Sequence, residues 1–270
     1  EIALVAEQLS APLDVRHIHF GGGTPTILEP AAFVALVALL RQRLAVHPDA
    51  EIAVEIDPRR LEPAMTAALA AAGVNRASLG VQSFDPEVQK AINRIQSVEQ
   101  TAAVVSGLRA AGIGAVSFDL IYGLPKQTVQ SCLDTVEQCL AMRPERFSIF
   151  GYAHVPEFKK HQRRIATVDL PNGDERHEQA EAMAQSLVAA GYVRIGLDHF
   201  ALPEDPMARA LSQGRLHRNF QGYTTDPCEA LIGFGASAIG KLPQGYVQNE
   251  VVIGRYAERI ADNALPAARG

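Results

Sequence analysis

Val15-Arg16-His17-Ile18-His19-Phe20-Gly21-Gly22-Gly23-Thr24-Pro25-Thr26 reads as a strand that enters a glycine turn and leads toward a helix. Three glycines after a strand let the backbone approach a ligand closely and expose its N–H groups. The phosphate-loop patterns G-x-G-x-x-G and G-x-x-x-x-G-K-[ST] are absent here. By itself the turn serves equally as a tight βα connection.

Outward from this stretch, short β-branched runs alternate with helical ones. The patterning predicts strands at Val15–Phe20, Ile52–Ile56, Arg76–Val81, Ala115–Ile121, Arg146–Tyr152 and Val193–Leu197. It predicts helices near Ala31–Leu44, Pro63–Ala72, Val98–Ala111, Val129–Met142 and Glu175–Ala190. Pro30 and Pro63 stand where a helix begins, and Gly73, Gly112 and Gly191 where one ends. The βα repetition calls for a parallel sheet with outer helices, an α/β class protein. A partial (βα) barrel suits it better than a bundle, with a doubly wound open sheet as the rival. Residues 1–200 are expected to form the barrel portion. Residues 201–270 are expected to be a loop-rich segment packing on it and the start of a C-terminal extension. Val155–Asp174 reads as a long loop with one short helix, and the tail as a helix followed by a linker.

Composition narrows the function classes. A net charge of −5 offers no general attraction for nucleic acid or an anionic membrane. The apolar run Ala31–Leu40 is too short to span a bilayer and leads into Arg41 and Arg43. The 3 cysteines, Cys132, Cys139 and Cys228, are too few and too irregular for a disulfide scaffold, and they point to a reducing compartment. Cys132 and Cys139 share a helix face as small buried hydrophobes, and no pair has metal-ligand spacing. The chain opens on Glu1-Ile2-Ala3, within a helix running to Leu9, without an initiator Met or a signal peptide. A piece of a longer protein is expected.

In parallel α/β folds chemistry gathers where strands end. Gly21–Thr24 follow the first strand, Glu55 and Asp57 end the second, and Gln82 and Ser83 follow the third. Asp119 lies in the fourth, and Ala153 and His154 follow the fifth. Glu55 sits between Val54 and Ile56, where a carboxylate is costly unless it is paired or faces a cavity. A structural ion pair and a ligand site both answer that requirement. Asp119 poses the same question. Arg94 could clamp a carboxylate, although a lone Arg is commonly a solvated surface residue. The histidines have no paired spacing. Lys159, Lys160, Arg163 and Arg164 form a basic cluster, either solvated surface or an attractor for a polyanion.

Together these segments carry a resemblance. His19-Phe20-Gly21-Gly22-Gly23-Thr24-Pro25-Thr26, Val54–Arg59, Leu79–Phe84 and Phe118–Pro125 are similar to the barrel of the radical S-adenosylmethionine enzymes. Within that superfamily they resemble the oxygen-independent coproporphyrinogen III oxidases. The likeness extends through Gly151–His154, Leu197–Phe200 and Leu216–Thr225, and ends near Gly233–Ile239.

The resemblance implies two cofactors, S-adenosylmethionine and a [4Fe–4S] cluster that cleaves it to a 5′-deoxyadenosyl radical. It implies oxidative decarboxylation of coproporphyrinogen III to protoporphyrinogen IX, in haem biosynthesis, with one S-adenosylmethionine used per propionate. It places Gly22, Gly23 and Thr24 at the methionine amino end, Glu55 in the same pocket, and Arg94 on the methionine carboxylate. It places Gln82 and Asp119 on the ribose side, and Ala153 and Ile239 at the adenine end. The family's C-x-x-x-C-x-x-C ligand run lies upstream of the glycine strand and is not in this sequence. The first barrel strand is therefore expected to be missing, and the segment by itself to be inactive and aggregation-prone through an unpaired sheet edge. Further expectations are a monomeric, cytoplasmic protein with an electron donor of unknown identity and no nucleic-acid or membrane partner. A haem chaperone of the same superfamily is the alternative. His217-Arg218-Asn219-Phe220-Gln221-Gly222 resembles the oxidase pattern, and the chaperones' Trp is absent, this chain having no Trp at all.

Overall fold

A computed structural model describes residues 1–9 and 13–270. The first half runs α1 (Ile2–Gln8), β1 (Asp14–Phe20), α2 (Pro30–Arg43), β2 (Ala45–Ile56), α3 (Pro63–Ala71), β3 (Arg76–Gln82), α4 (Pro86–Ala91), α5 (Val98–Ala110) and β4 (Ala115–Tyr122). It continues with α6 (Val129–Ala141), β5 (Arg146–Gly151), α7 (Gly173–Ala189), β6 (Val193–Ile195), β7 (His199–Ala201) and α8 (Pro206–Ser212). Two hairpin strands, β8 (His217–Asn219) and β9 (Gly222–Thr224), precede β10 (Ile239–Leu242), β11 (Gly245–Asn249), α9 (Ile253–Ala261) and β12 (Ala267–Arg269).

The main sheet has the order β1-β2-β3-β4-β5-β7-β6. Strands β2 to β5 are mutually parallel and neighbour one another in chain order. A doubly wound sheet would reverse direction at a switch point; this order does not, which removes the open-sheet rival. The chain divides into two compact units. One comprises Glu1–Ile18, Val34–Ala50 and Asp226–Gly270; the other comprises His19–Phe33 and Glu51–Thr225.

Alternation along the parallel strands builds two unlike sheet faces. Val54, Ile56, Ala77, Leu79, Val81, Val116, Phe118, Leu120, Phe147 and Ile149 are all buried. Their neighbours Glu55, Ser78, Gly80, Gln82, Ser117, Asp119 and Ser148 point to the other face, in register across four strands. One face is thus a hydrophobic core for the helices, and the other is polar.

The helices begin where their caps require. Asp85 accepts from Glu87 N and Val88 N to start α4, and Ser97 caps α5. Thr128 with Ser131, and Asn172 with Glu175, form reciprocal capping boxes on α6 and α7. In the other unit the Glu1 carboxylate accepts from Gly235 N at 2.7 Å, Asn249 Nδ2 at 2.6 Å and Tyr256 Oη at 2.7 Å.

Three local expectations need correction. Val193–Leu197 does not pair with the preceding parallel strand: β6 stops at Ile195, Gly196 takes φ +61, and β7 lies between β5 and β6, antiparallel to both. The segment after α9 is not a linker, because Ala267–Arg269 pairs with β11. The long loop after β5 holds two 3-10 turns, Lys160–Arg164 and Thr167–Asp169, rather than one helix.

Candidate functional site

The glycine turn and Glu55 meet. Gly22 has φ +83 and Gly23 φ +147, conformations in which a side chain is strained. Gly22 N donates to Glu55 Oε2 at 3.3 Å, and the His19 imidazole donates from Nε2 to Glu55 Oε1 at 3.0 Å. A Cβ on Gly21 would stand 2.6 Å from Glu55 Oε1, so the strand end needs glycine there. His19's hydrogen bond holds the Glu55 carboxyl below its usual range, against the opposing effect of burial. The result is an anionic carboxylate with 42% of its side chain still open to solvent.

Arg94 reaches the same rim from the end of α4. Its N–H donates to Gln89 O at 2.8 Å, directly after Asn93 at φ +54. Gln89 is buried and binds Ser83 O, Gln96 O and Gln96 N, which holds the segment in place. The Arg94 guanidinium donates through Nη2 to Gly80 O at 2.7 Å and stands 3.4 Å from Asp57 Oδ1. A Cβ on Gly80 would lie 3.2 Å from that nitrogen. Arg94 Nε is buried with no hydrogen-bond partner among the described residues. Burial pushes the Arg94 guanidinium below its usual range, with Asp57 opposing. Asp57 is itself gripped by Arg59, at 2.9 Å from Nε and 2.6 Å from Nη2. Burial works against its charge, but Arg59 and Arg94 outweigh it and hold Asp57 below the usual range. Arg94 is therefore not a solvated surface residue. It is a cation held in place with a donor to spare.

Asp119 lies deeper on the polar face, in register with Gly80 and Ser148. Ser78 Oγ donates to its Oδ2 at 2.8 Å. Burial raises its pKa, while the Ser78 and Ser148 hydroxyls oppose that and the Glu55 carboxylate adds to it. Gln82 follows a register shift between β3 and β4 and adopts φ +67, rare for a non-glycine residue. Ala153 follows β5, and its carbonyl accepts from Gln162 Nε2 at 3.0 Å.

Gly22, Gly23, Thr24, Glu55, Gln82, Arg94, Asp119 and Ala153 fall in one compact unit, whereas Ile239 opens β10 in the other. Thr24 precedes a 3-10 turn without capping it by its side chain. Sequence reasoning did not single out His19, Ser78 or Ser148 as partners of the two carboxylates. The alternation of Ser with apolar residues in β3 and β5 was the available signal.

Chemically, the rim offers an anion at Glu55, a cation with a spare donor at Arg94 and an open glycine backbone between strands. A ligand with an amino-acid head group would satisfy both charges. Among the described residues no group of three or more His, Cys, Asp or Glu could hold a metal. Cys132 and Cys139 are buried on α6, and burial pushes the Cys132 thiol up to about 12. Neither is a thiolate ligand.

Comparison with known proteins follows the same lines. The model of the Radical SAM superfamily matches residues 1–139. All 270 residues align at 65% identity with 60% of a Bradyrhizobium diazoefficiens protein named oxygen-independent coproporphyrinogen III oxidase. The protein of that name from Pseudomonas aeruginosa is 44% identical, with the whole of this chain aligned to 59% of it. The chain thus spans about three fifths of the length of these relatives. Among solved structures, coproporphyrinogen III oxidase (HemN) from Escherichia coli, described as a radical SAM enzyme, superposes with a TM-score of 0.90 at 40% identity. That match covers 94% of this chain and 58% of HemN.

Proposed function

The chain belongs to the radical S-adenosylmethionine superfamily, and on that premise we propose that it is the adenosylmethionine-binding part of an oxygen-independent coproporphyrinogen III oxidase. What carries the reading is the rim itself: an ionised Glu55, its side chain 42% exposed, beside an open glycine turn, with the Arg94 guanidinium held at Gly80 O and Asp57. The 65% identity to a relative of that name supports the choice of substrate.

The residues suit the cofactor. Glu55 faces the methionine ammonium, with Gly22, Gly23 and Thr24 offering backbone and hydroxyl partners. Arg94 takes the methionine carboxylate through its guanidinium. Gln82 and Asp119 hold the ribose hydroxyls, and Ala153 flanks the adenine. S-adenosylmethionine, when bound and reduced, supplies the 5′-deoxyadenosyl radical that removes a hydrogen atom from a propionate side chain. The described residues do not fit a [4Fe–4S] cluster, and its ligands would come from parts of the protein outside this chain. Within this chain the task is binding and orientation. His19 keeps Glu55 charged, and Gly80 and Asp57 fix Arg94.

In the whole protein each of two propionates would lose a hydrogen atom, carbon dioxide and one electron to leave a vinyl group. The partners would be coproporphyrinogen III and an electron donor, in a monomeric enzyme of the cytoplasm. No described helix is long and apolar enough to cross a membrane.

The test uses the full-length protein purified without oxygen and supplied with reductant, S-adenosylmethionine and coproporphyrinogen III. Divinyl product with two 5′-deoxyadenosines per substrate is expected. Haem binding without turnover would overturn the reading in favour of a chaperone.

A further inference from the structure

The proposed substrate carries four carboxylates, and the residues assigned so far all address S-adenosylmethionine. Arg176 is a cation beside the strand ends that this reading leaves without a task. Arg176 lies in the first turn of α7, which begins at Gly173. A cation there opposes the helix dipole, which favours anions at that end. Its neighbour Glu175 does not compensate, because its Oε2 accepts from Asn172 N at 2.7 Å as part of the helix cap. Arg176 is half-buried, and among the described residues its guanidinium has no hydrogen-bond or ion-pair partner. Its Cζ lies 5.9 Å from the centre of the Tyr122 ring.

The fold makes room for it. A Cβ on Gly123, which has φ +80, would stand 3.0 Å from Arg176 Cζ. A Cβ on Gly151 would stand 2.9 Å from Tyr122 Oη and 3.3 Å from Arg176 Nη2. Two glycines, at the C-terminal ends of β4 and β5, therefore form the floor on which the guanidinium rests. One helical turn further on, buried Gln179 accepts from Gly123 N at 2.9 Å and donates to Gln127 O at 2.9 Å. This clamp fixes α7 against the β4 end and holds Arg176 in place. Beside it, Tyr152 N donates to Tyr122 O at 2.8 Å, and the Tyr152 hydroxyl stands 3.1 Å from His154 Nδ1.

We propose that Arg176, lying over the Gly123–Gly151 floor beside the Tyr122 hydroxyl, binds one propionate carboxylate of the tetracarboxylate substrate. This rests on the functional reading above and names a substrate-gripping residue for it. A half-buried guanidinium with its donors unused offers a carboxylate a forked, charge-assisted contact. The Tyr122 ring beside it suits the edge of a tetrapyrrole.

Fluorescence titration of the full-length protein with coproporphyrin III, the stable oxidised tetracarboxylate, tests this without turnover. Arg176→Gln should weaken porphyrin binding roughly 10- to 100-fold, with S-adenosylmethionine affinity within about twofold of wild type. Arg176→Lys should retain part of the affinity, and in turnover the loss should appear in KM for the porphyrinogen. If Arg176→Gln does not fold, Gly123→Ala, whose Cβ would stand 3.0 Å from Arg176 Cζ, crowds the same guanidinium and must weaken porphyrin binding. Unchanged porphyrin affinity in a folded Arg176→Gln protein overturns the proposal, as does a parallel loss of S-adenosylmethionine binding. A wild-type protein that neither binds coproporphyrin nor turns over its reduced form would instead overturn the functional reading, and this proposal with it.

Discussion

Two charged clusters occupy the same unit of the molecule, and they are built on opposite logic. At the starts of β3 and β5, Arg76 and Arg146 meet Asp205 and Glu51. Arg146 binds Asp205 at 2.8 to 2.9 Å, and Arg76 binds Glu51 at 2.9 Å and lies 3.6 Å from Asp205. Two positive charges face two negative ones, and the Asp205 side chain is only 3% exposed. At the strand ends Glu55 is 42% exposed, and among the described residues Arg94 keeps a spare nitrogen and Arg176 has no anionic partner. An orphan atom does not separate the two clusters, since Arg76 Nη1 is unpartnered as well. Charge balance and access do. A cluster that neutralises itself out of solvent is structure; one that leaves charges unanswered at an open rim is built for a ligand.

The comparison breaks first at Asp205. Asp205→Ala leaves two buried guanidinium groups short of a partner and removes the cap that accepts from Met207 N at 2.7 Å. A loss of about 3–5 kcal/mol is expected by urea unfolding. A loss below about 1 kcal/mol would mean the cluster is not structural. Next comes Gly21→Ala, whose Cβ would sit 2.6 Å from Glu55 Oε1 and 2.8 Å from His19 Nε2. Displacing that pair should cost about 1–3 kcal/mol and lower S-adenosylmethionine affinity in a binding titration. Unaltered affinity would separate the glycine strand end from the ligand.

The smallest effect sharpens the account. Burial raises the Asp119 pKa above 3.8, so the folded protein keeps a proton that the unfolded chain releases. Stability then falls as pH rises from about 4 through the raised pKa. Asp119→Asn should remove that slope and raise Tm at neutral pH by no more than about 4 °C. Melts between pH 4 and 8 that keep the wild-type slope would locate it elsewhere.

Much of this was legible from residues alone. Pro63 and Gly73 bound α3, and the apolar runs around Val54, Leu79 and Phe118 mark strands buried on one face. Glu55 and Asp119 stand out because charge in such a setting demands a partner, whereas Arg94 is singled out by the family resemblance alone. What stayed hidden depends on distant pairing. His19 and Glu55 are 36 positions apart, and nothing local marks their hydrogen bond. The β6–β7 turn hangs on Gly196, and β12 exists only because β11 offers an edge. Arg176 looks like any helix-surface Arg until Gly123 and Gly151 are seen beneath it.

The most direct measurement is one S-adenosylmethionine titration across three variants of the full-length protein, under conditions where all are folded. Arg94→Ala and Glu55→Gln should each weaken binding at least about tenfold, while Asp205→Asn, although less stable, should bind within about twofold of wild type. Equal affinity in Arg94→Ala and Glu55→Gln, or a loss confined to Asp205→Asn, would contradict the division of the molecule into a self-neutralised cluster and a ligand rim.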